Sequence, residues 1–454
     1  MSDFPDIERL TDDESLAHYG RDWTRFWTPA PQAIAFPRST DDVVKLVQWA
    51  RSAKASLVPS GGRTGLSGGA VAPGGEVVVS FDKMRAIKAL DEVEPSVTVE
   101  AGATIGEVQR HAAENDLYYP VDWAAAESSQ AGGSVATNAG GIRVLRYGMT
   151  RDWVRGLTVV TGTGEVLELN RGLVKNNAGL DLRHLMIGSE GTLGMITEVT
   201  FGLIDPPSQR SVLLLAFPGL DAIMPAFRAL RAGLELSAFE FFDTASVEYV
   251  AKASDTQFPL ETQVPFYAVV EFDDPDAGRQ EAALEVFEKL AEDGHVVDGL
   301  ISQSQAQAEE LWHWREAISE AIAASTPYKN DLSVRISAVP EFLAALEALV
   351  GARYPDFQVV WFGHIGDGNL HMNVLKPDDW SIDDFRAACD KLSPEVFELV
   401  GRYRGSLSAE HGVGLLKRDY LHLIKSAGEI ELMRAVKRAF DPDGVLNPGK
   451  LFKE

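Results

Sequence analysis

PSGGRTGLSGGAV, residues 59–71, sets glycines among serine and threonine immediately after the short apolar run LV at 57–58. Two further stretches share that chemistry, GGSVATNAGGIRVLRYG at 132–148 and GSEGTLGMITE at 188–198. Glycine lets backbone N–H groups approach an anion closely, and small polar side chains add donors, so these loops read as a cradle for a phosphate-rich ligand. Any one of them reads equally well as a tight turn in a chain with 40 glycines; three together favour the cradle. None carries GxGxxG at a strand-to-helix junction, which disfavours a nicotinamide-binding Rossmann domain. GVLNPGK at 444–450 fits GxxxxGK, but Leu451 stands where a magnesium-binding Ser or Thr is needed and no helix can follow. Nucleotide hydrolysis is therefore rejected.

Around these loops the chain alternates short strands with helices. TDDVVKLVQWARSAKA (40–55) has a Thr-Asp start and helical spacing of apolar residues, and LVPS (57–60), EVVVSF (76–81) and SVTVEAG (96–102) read as strands. LIDPPSQR (203–210) carries a Pro-Pro break and reads as a domain boundary. Beyond it, strands SVLLLAF, AFEFF and PFYAVVEF and helices DAIMPAFRALRAGL and GRQEAALEVFEKLAEDG predict an antiparallel sheet covered by helices on one side. The fold class is α+β.

At 454 residues the chain suits two or three domains with a large core. Its single cysteine, Cys389, excludes an internal disulfide and any zinc site of several thiolates. The formal charge of -25 argues against nucleic acid and anionic membrane surfaces as partners. The acidic start and the lack of an apolar run of ~20 residues predict a cytoplasmic protein with no membrane span.

Metal chemistry must then use histidine and carboxylate. GHIGDGNLHMNV (363–374) places His364 and His371 on either side of Gly366-Asp367-Gly368, so both can ligate one ion if that turn reverses the chain. SAEHGVG (408–414) offers adjacent Glu410 and His411; on an extended backbone they point oppositely, one to a metal and one to a substrate. A lone histidine is more often a hydrogen-bonded structural residue. Three of the nine histidines in two glycine-rich segments favour the metal site.

In this order, from about residue 20 onward, PSGGRTGLSGG, GGSVATNAGG, YGMTRDWVRGLTVV, GSEGTLGMITE, GHIGDGNLH, SAEHGVGLLKR and FDPDGVLNPGKLF resemble the FAD-linked 2-hydroxy-acid dehydrogenases of the vanillyl-alcohol-oxidase superfamily. The resemblance implies a two-lobed FAD-binding domain, an antiparallel-sheet substrate domain and a C-terminal segment that returns to the FAD lobe. The expected boundaries are an N-terminal segment 1–30, FAD-binding domain 31–205, substrate and metal domain 206–435 and returning segment 436–454. Noncovalent FAD would be wrapped by Pro59, Ser60, Gly61, Gly62, Arg63, Thr64, Gly65 and Leu66, with Arg63 where some relatives carry a linking histidine. The second loop would add Gly132, Gly133, Ser134, Asn138 and Gly141, the third Glu190, Gly191 and Ile196, and the returning segment Asn447.

By the same resemblance His364, His371 and Glu410 hold one divalent metal, Zn2+ first with Mn2+ or Co2+ as alternatives, and His411 is the base. Arg315, Ser319, Lys329 and Asn373 contact the substrate, and Ser319 stands where relatives often carry Thr. Without the resemblance, Arg315 reads as a helix-surface charge and Lys329 as a solvated loop residue. Arg335 departs from a position commonly Pro or apolar, which puts the pocket's charge or shape in question. The implied reaction oxidises D-2-hydroxyglutarate, with D-malate as a further substrate, delivers hydride to flavin N5, and passes electrons to an external carrier such as an electron-transfer flavoprotein. A homodimer stays open. The rival readings are a D-lactate or glycolate dehydrogenase and a noncatalytic flavin- and metal-binding scaffold.

Overall fold

The computed structural model describes residues 4–24, 26–274 and 277–453. The chain divides into two compact units, one of residues 1–141, 148–206 and 410–454, the other of 142–147 and 207–409.

The first unit contains two sheets. Strands β1 (Arg9–Leu10), β2 (Ala33–Ala35), β3 (Leu57–Ser60) and β4 (Val77–Ser80) lie in the order β1-β2-β4-β3, with β2, β4 and β3 parallel. All four residues of β4, VVVS, are buried, as a parallel strand covered on both faces requires. The helix Thr40–Ala53 starts where Ser39 accepts from the Asp42 amide; its Val43, Leu46, Val47 and Ala50 recur on one face and seal a core with Leu57, Val77 and Val79. Strands β5 (Ile87–Asp91), β6 (Ser96–Glu100), β7 (Val154–Thr161), β8 (Val166–Leu169) and β9 (Gly194–Gly202) form an antiparallel sheet, order β5-β6-β9-β7-β8. In β6 only Val97 and Val99 are buried, the period of two of a strand packed on one face. Near the end of the chain Leu446 bridges to Leu57 beside β3.

The second unit is built on seven strands: β10 (Arg210–Phe217), β11 (Leu236–Asp243), β12 (Phe266–Asp273), β13 (Asp298–Ile301), β14 (Tyr328–Ser333), β15 (Val359–Gly363) and β16 (Asn369–Val374). Their order is β13-β10-β12-β11-β15-β16-β14, antiparallel throughout. The expectation of helices on one side is corrected here. Ala238 and Phe242 share a core with Leu311 and Trp312 of helix Gln305–Glu316, whereas the alternate residue Phe239 packs its ring against Phe227 of helix Leu220–Gly233 at 5.1 Å. Consecutive strand residues face opposite ways, so both faces carry helices. The sequence shows the reason: every residue of β11, LSAFEFFD, is buried, which one covered face cannot explain.

Candidate functional site

The glycine-rich loops assemble within the first unit. Asn447 donates through Nδ2 to the carbonyls of Gly69 (2.9 Å) and Glu190 (2.7 Å), tying the first and third loops to the returning segment. Thr64 Oγ1 lies 2.9 Å from Ser129 Oγ, just ahead of the second loop. The glycines divide by what a side chain would meet. A Cβ on Gly62 would fall 1.9 Å from the Ser128 carbonyl, and one on Gly141 1.9 Å from that of Asp122, so backbone packing alone demands glycine there. A Cβ on Gly133 would meet nothing within 4 Å, and Gly133 lies 3.8 Å from the Cβ that Gly61 would carry. In the same loops and their flanks Ser60 Oγ, Gln130 Oε1 and Asn447 Oδ1 are buried without a hydrogen-bond partner among the described residues, and Gln130 Oε1 lies 3.4 Å from the Cβ that Gly61 would carry. Orphaned buried polar atoms of this kind call for a ligand or water, and the loops fit a flavin nucleotide.

Other loop residues are engaged within the protein. Arg63, in the left-handed region at φ 59°, donates to the Gly61 carbonyl at 3.0 Å and lies over Tyr19. Pro59 and Ser60 are the last two residues of β3, and Gly65 and Leu66 are half-buried. A Cβ on Gly132 would fall 2.8 Å from Ala101 Cβ, another glycine that packing requires. Ser134 donates to the Ala131 carbonyl, and Asn138 accepts from the Arg151 amide. Ile196 is buried in the apolar core on β9. Glu190 accepts from the Val413 and Gly414 amides, both at 2.7 Å, and a Cβ on its neighbour Gly191 would meet the Pro59 ring at 2.5 Å. Burial raises the Glu190 carboxyl above its ordinary range against those two hydrogen bonds.

In the second unit the turn between the two histidines does reverse the chain: β15 and β16 pair with Phe362 opposite His371, and the Asn369 amide closes the turn on the His364 carbonyl. Phe242 pairs with Phe362, His371 with Asp331, and Asn373 with Lys329. Cross-strand partners share a face, so Glu240, Phe242, Phe362, His371, Asn373, Asp331 and Lys329 all line one side of the sheet. His364 and His371 face each other edge to face, ring centres 5.3 Å apart. Glu410 and His411 continue the chain directly from Ala409, where the second unit ends. Within the second unit Asp331 Oδ1 lies 3.9 Å from His371 Nδ1, so two imidazoles and a carboxylate gather on this face. The 410–411 segment is a bend and does not run extended. Two imidazoles and a carboxylate suit a divalent metal of zinc type and leave further positions open.

Arg315 is buried, not a surface charge; its Nη2 lies 2.8 Å from Glu240 Oε2 and its guanidinium stacks over Phe362. Asn373 is buried, its Nδ2 donating to the Val360 and His371 carbonyls. Lys329 is exposed, yet desolvation by the surrounding protein lowers its pKa. Ser319 and Arg335 are exposed. Burial pushes the Cys389 thiol up to about 12, and Asp390 adds to the shift, so this cysteine acts as a packing residue.

The description "FAD linked oxidases, C-terminal domain" matches residues 206–451, and "FAD binding domain" matches residues 31–170. A D-2-hydroxyglutarate dehydrogenase of Xanthomonas citri pv. viticola is 54% identical over 449 residues, 99% of this chain and 95% of that protein. The chain belongs to the FAD-linked 2-hydroxy-acid dehydrogenases. A D-2-hydroxyglutarate dehydrogenase of Stutzerimonas stutzeri is 52% identical over 98% of this chain and 96% of its own length. A crystal structure of p-cresol methylhydroxylase with substrate bound has the same fold, with a TM-score of 0.72 at 16% identity over 98% of this chain and 94% of that one. This dehydrogenase is thus an FAD-dependent oxidoreductase of vanillyl-alcohol-oxidase fold. No helix among its described residues is long and apolar enough to cross a membrane.

Reading its sequence residue by residue missed three side chains. Glu240 joins Arg315 to His364. Asp331 accepts from Asn369 Nδ2 and Ser408 Oγ, with Oδ1 3.9 Å from His371 Nδ1. Glu271 is buried, bound by Arg143 through Nε (2.8 Å) and Nη2 (3.0 Å) and by Trp312 Nε1. A charged residue inside an otherwise apolar strand, as in AFEFF and AVVEF, was the available signal, because such a residue must be paired when the strand is buried on both faces.

Proposed function

We propose that this dehydrogenase oxidises D-2-hydroxyglutarate to the corresponding 2-oxo acid with FAD and one divalent metal, zinc first, and passes the electrons to an external carrier such as an electron-transfer flavoprotein. The observation that carries the substrate is the 54% identity across 99% of the chain to a protein of that activity. The glycine loops with Asn447 would hold FAD noncovalently, and His364, His371 and Glu410 the metal, in the cytoplasm.

FAD held by the glycine loops and Asn447 would supply the hydride acceptor for the carbinol carbon. The metal, when bound, supplies a Lewis acid for the hydroxyl and adjacent carboxylate. The protein's own part is proton transfer and placement. His411 takes the hydroxyl proton as general base. Arg315 keeps a buried Nε without a hydrogen-bond partner among the described residues, and Lys329 shares the site's face of the sheet. Together they offset the second carboxylate of a dicarboxylate. Asn373 on the same face orients the substrate. Loss of the carbinol hydride and transfer of the hydroxyl proton to His411 turn the hydroxy acid into the 2-oxo acid, which leaves.

The test mixes anaerobic oxidised holoenzyme with D-2-hydroxyglutarate, its L enantiomer, D-malate and D-lactate, following flavin absorbance. Rapid bleaching by D-2-hydroxyglutarate, with D-malate slower and the others inert, supports the assignment; bleaching mainly by D-lactate replaces it with a monocarboxylate dehydrogenase.

A further inference from the structure

Glu240 sits near the middle of β11 and is 1% exposed, as deep as the phenylalanines around it. A carboxylate at that depth is severely destabilising unless it is paired and hydrogen-bonded. Its partners come from two separate elements. His364 Nδ1, just after β15, lies 2.8 Å from both carboxylate oxygens and hydrogen-bonds to Oε1, while Oε2 forms an ion pair at 2.8 Å with Arg315 Nη2 on helix Gln305–Glu316. Arg315 is clamped in turn over the Phe362 ring, 4.8 Å from its centre.

A carboxylate ion-paired with arginine can only accept, so His364 must carry its hydrogen on Nδ1 and present the Nε2 lone pair. The same ion pair places a negative charge between Arg315 and the imidazole, screening a bound cation from the guanidinium. We propose that Glu240 is the positioning residue of the site: one carboxylate fixes His364 as the Nδ1–H tautomer with Nε2 directed to a divalent cation, and holds Arg315 in its place on the same face. Metal affinity and the placement of the substrate-side cation are therefore set by a single buried side chain. The inference rests on the reading of His364 as a metal ligand.

The test uses flavin-loaded enzyme and zinc alone, without substrate, in competition with a chromophoric chelator, with flavin content and Tm measured alongside. E240Q is expected to lower zinc affinity 10- to 100-fold, the range for outer partners of metal-bound histidine, in folded protein that retains its flavin, with some loss of Tm because Arg315 is left unpaired. R315M alone is expected to change zinc affinity less than E240Q does. The double variant is expected to depart from additivity, because both act through one carboxylate. Unchanged zinc affinity in E240Q, or a loss that only follows falling flavin content, overturns the proposal. Should E240Q not fold, because Arg315 is left as a buried unpaired charge, the E240Q/R315M pair compared with R315M decides in the same way. H364A separates the two readings. If H364A leaves zinc affinity unchanged, the metal-ligand reading fails; if H364A abolishes binding and E240Q does not alter it, only the role of Glu240 fails.

Discussion

Arg315 and Ser319 stand four residues apart, the spacing that puts two side chains on one face of a continuous helix. The helix Gln305–Glu316 ends before Ser319, which lies in the separate short helix Ile318–Ala321 and is exposed, while Arg315 is buried against Glu240. The family resemblance pointed to Arg315, which residue reading alone takes for a helix-surface charge, and only three-dimensional packing showed its carboxylate partner. His411 is proposed as the base, so H411A should slow flavin reduction by ~10²- to 10⁴-fold in a stopped-flow trace while zinc content is unchanged; an unaltered rate removes it from that role. Asp243 caps helix Thr244–Ser254 and accepts from the Trp361 amide; burial lifts its carboxyl from 3.8 to about 6 against hydrogen bonds from Ser246 and Trp361. The folded protein then binds this proton more tightly than the unfolded chain, so the group's contribution to stability falls as pH rises from about 4 to about 6 and is level above. In denaturant unfolding, the parent should gain stability relative to D243N as pH is lowered from 6 to 4, by up to about 3 kcal/mol. A constant difference across that window contradicts the shift.

At the scale of elements, a glycine-rich loop looks alike in sequence whether its glycines serve packing or a ligand. Gly62 and Gly133 show the two cases: one Cβ would strike the Ser128 carbonyl at 1.9 Å, the other would enter open space. G62A should lower stability by at least the ~1–3 kcal/mol of an overpacked core. G133V should leave Tm within a few degrees of the parent and weaken FAD retention by at least about tenfold, read by flavin fluorescence release. Equal behaviour of the two variants would refute this division of roles. The strands followed a similar rule. SVTVE announced a half-buried strand through its alternation. AFEFF announced a strand without revealing that both faces are covered, because a continuous apolar run fits either a wholly buried strand or a stretch of buried helix.

Across the molecule, the formal charge of -25 acts on every approaching substrate. A dicarboxylate is repelled at long range even though Arg315 and Lys329 lie at the candidate site. At low ionic strength kcat/KM for D-2-hydroxyglutarate should therefore rise as salt is added toward 0.15 M, and more steeply than for D-lactate, because screening relieves the repulsion of two charges more than of one. A fall with salt would mean that the local cations dominate the approach.

The sequence by itself determined the α+β class, the glycine loops and most strands and helices, and it singled out His364, His371 and the Glu410-His411 pair as candidates. These are signals of composition, period and short spacing, which chain-local geometry carries directly. Only the tertiary structure decided that Glu240 lies between His364 and Arg315, 75 residues before the latter in sequence, and that helices cover both faces of the second sheet. Partnerships between distant residues depend on strand order and register, and a buried carboxylate acquires its meaning from whichever donors that order brings within hydrogen-bond reach.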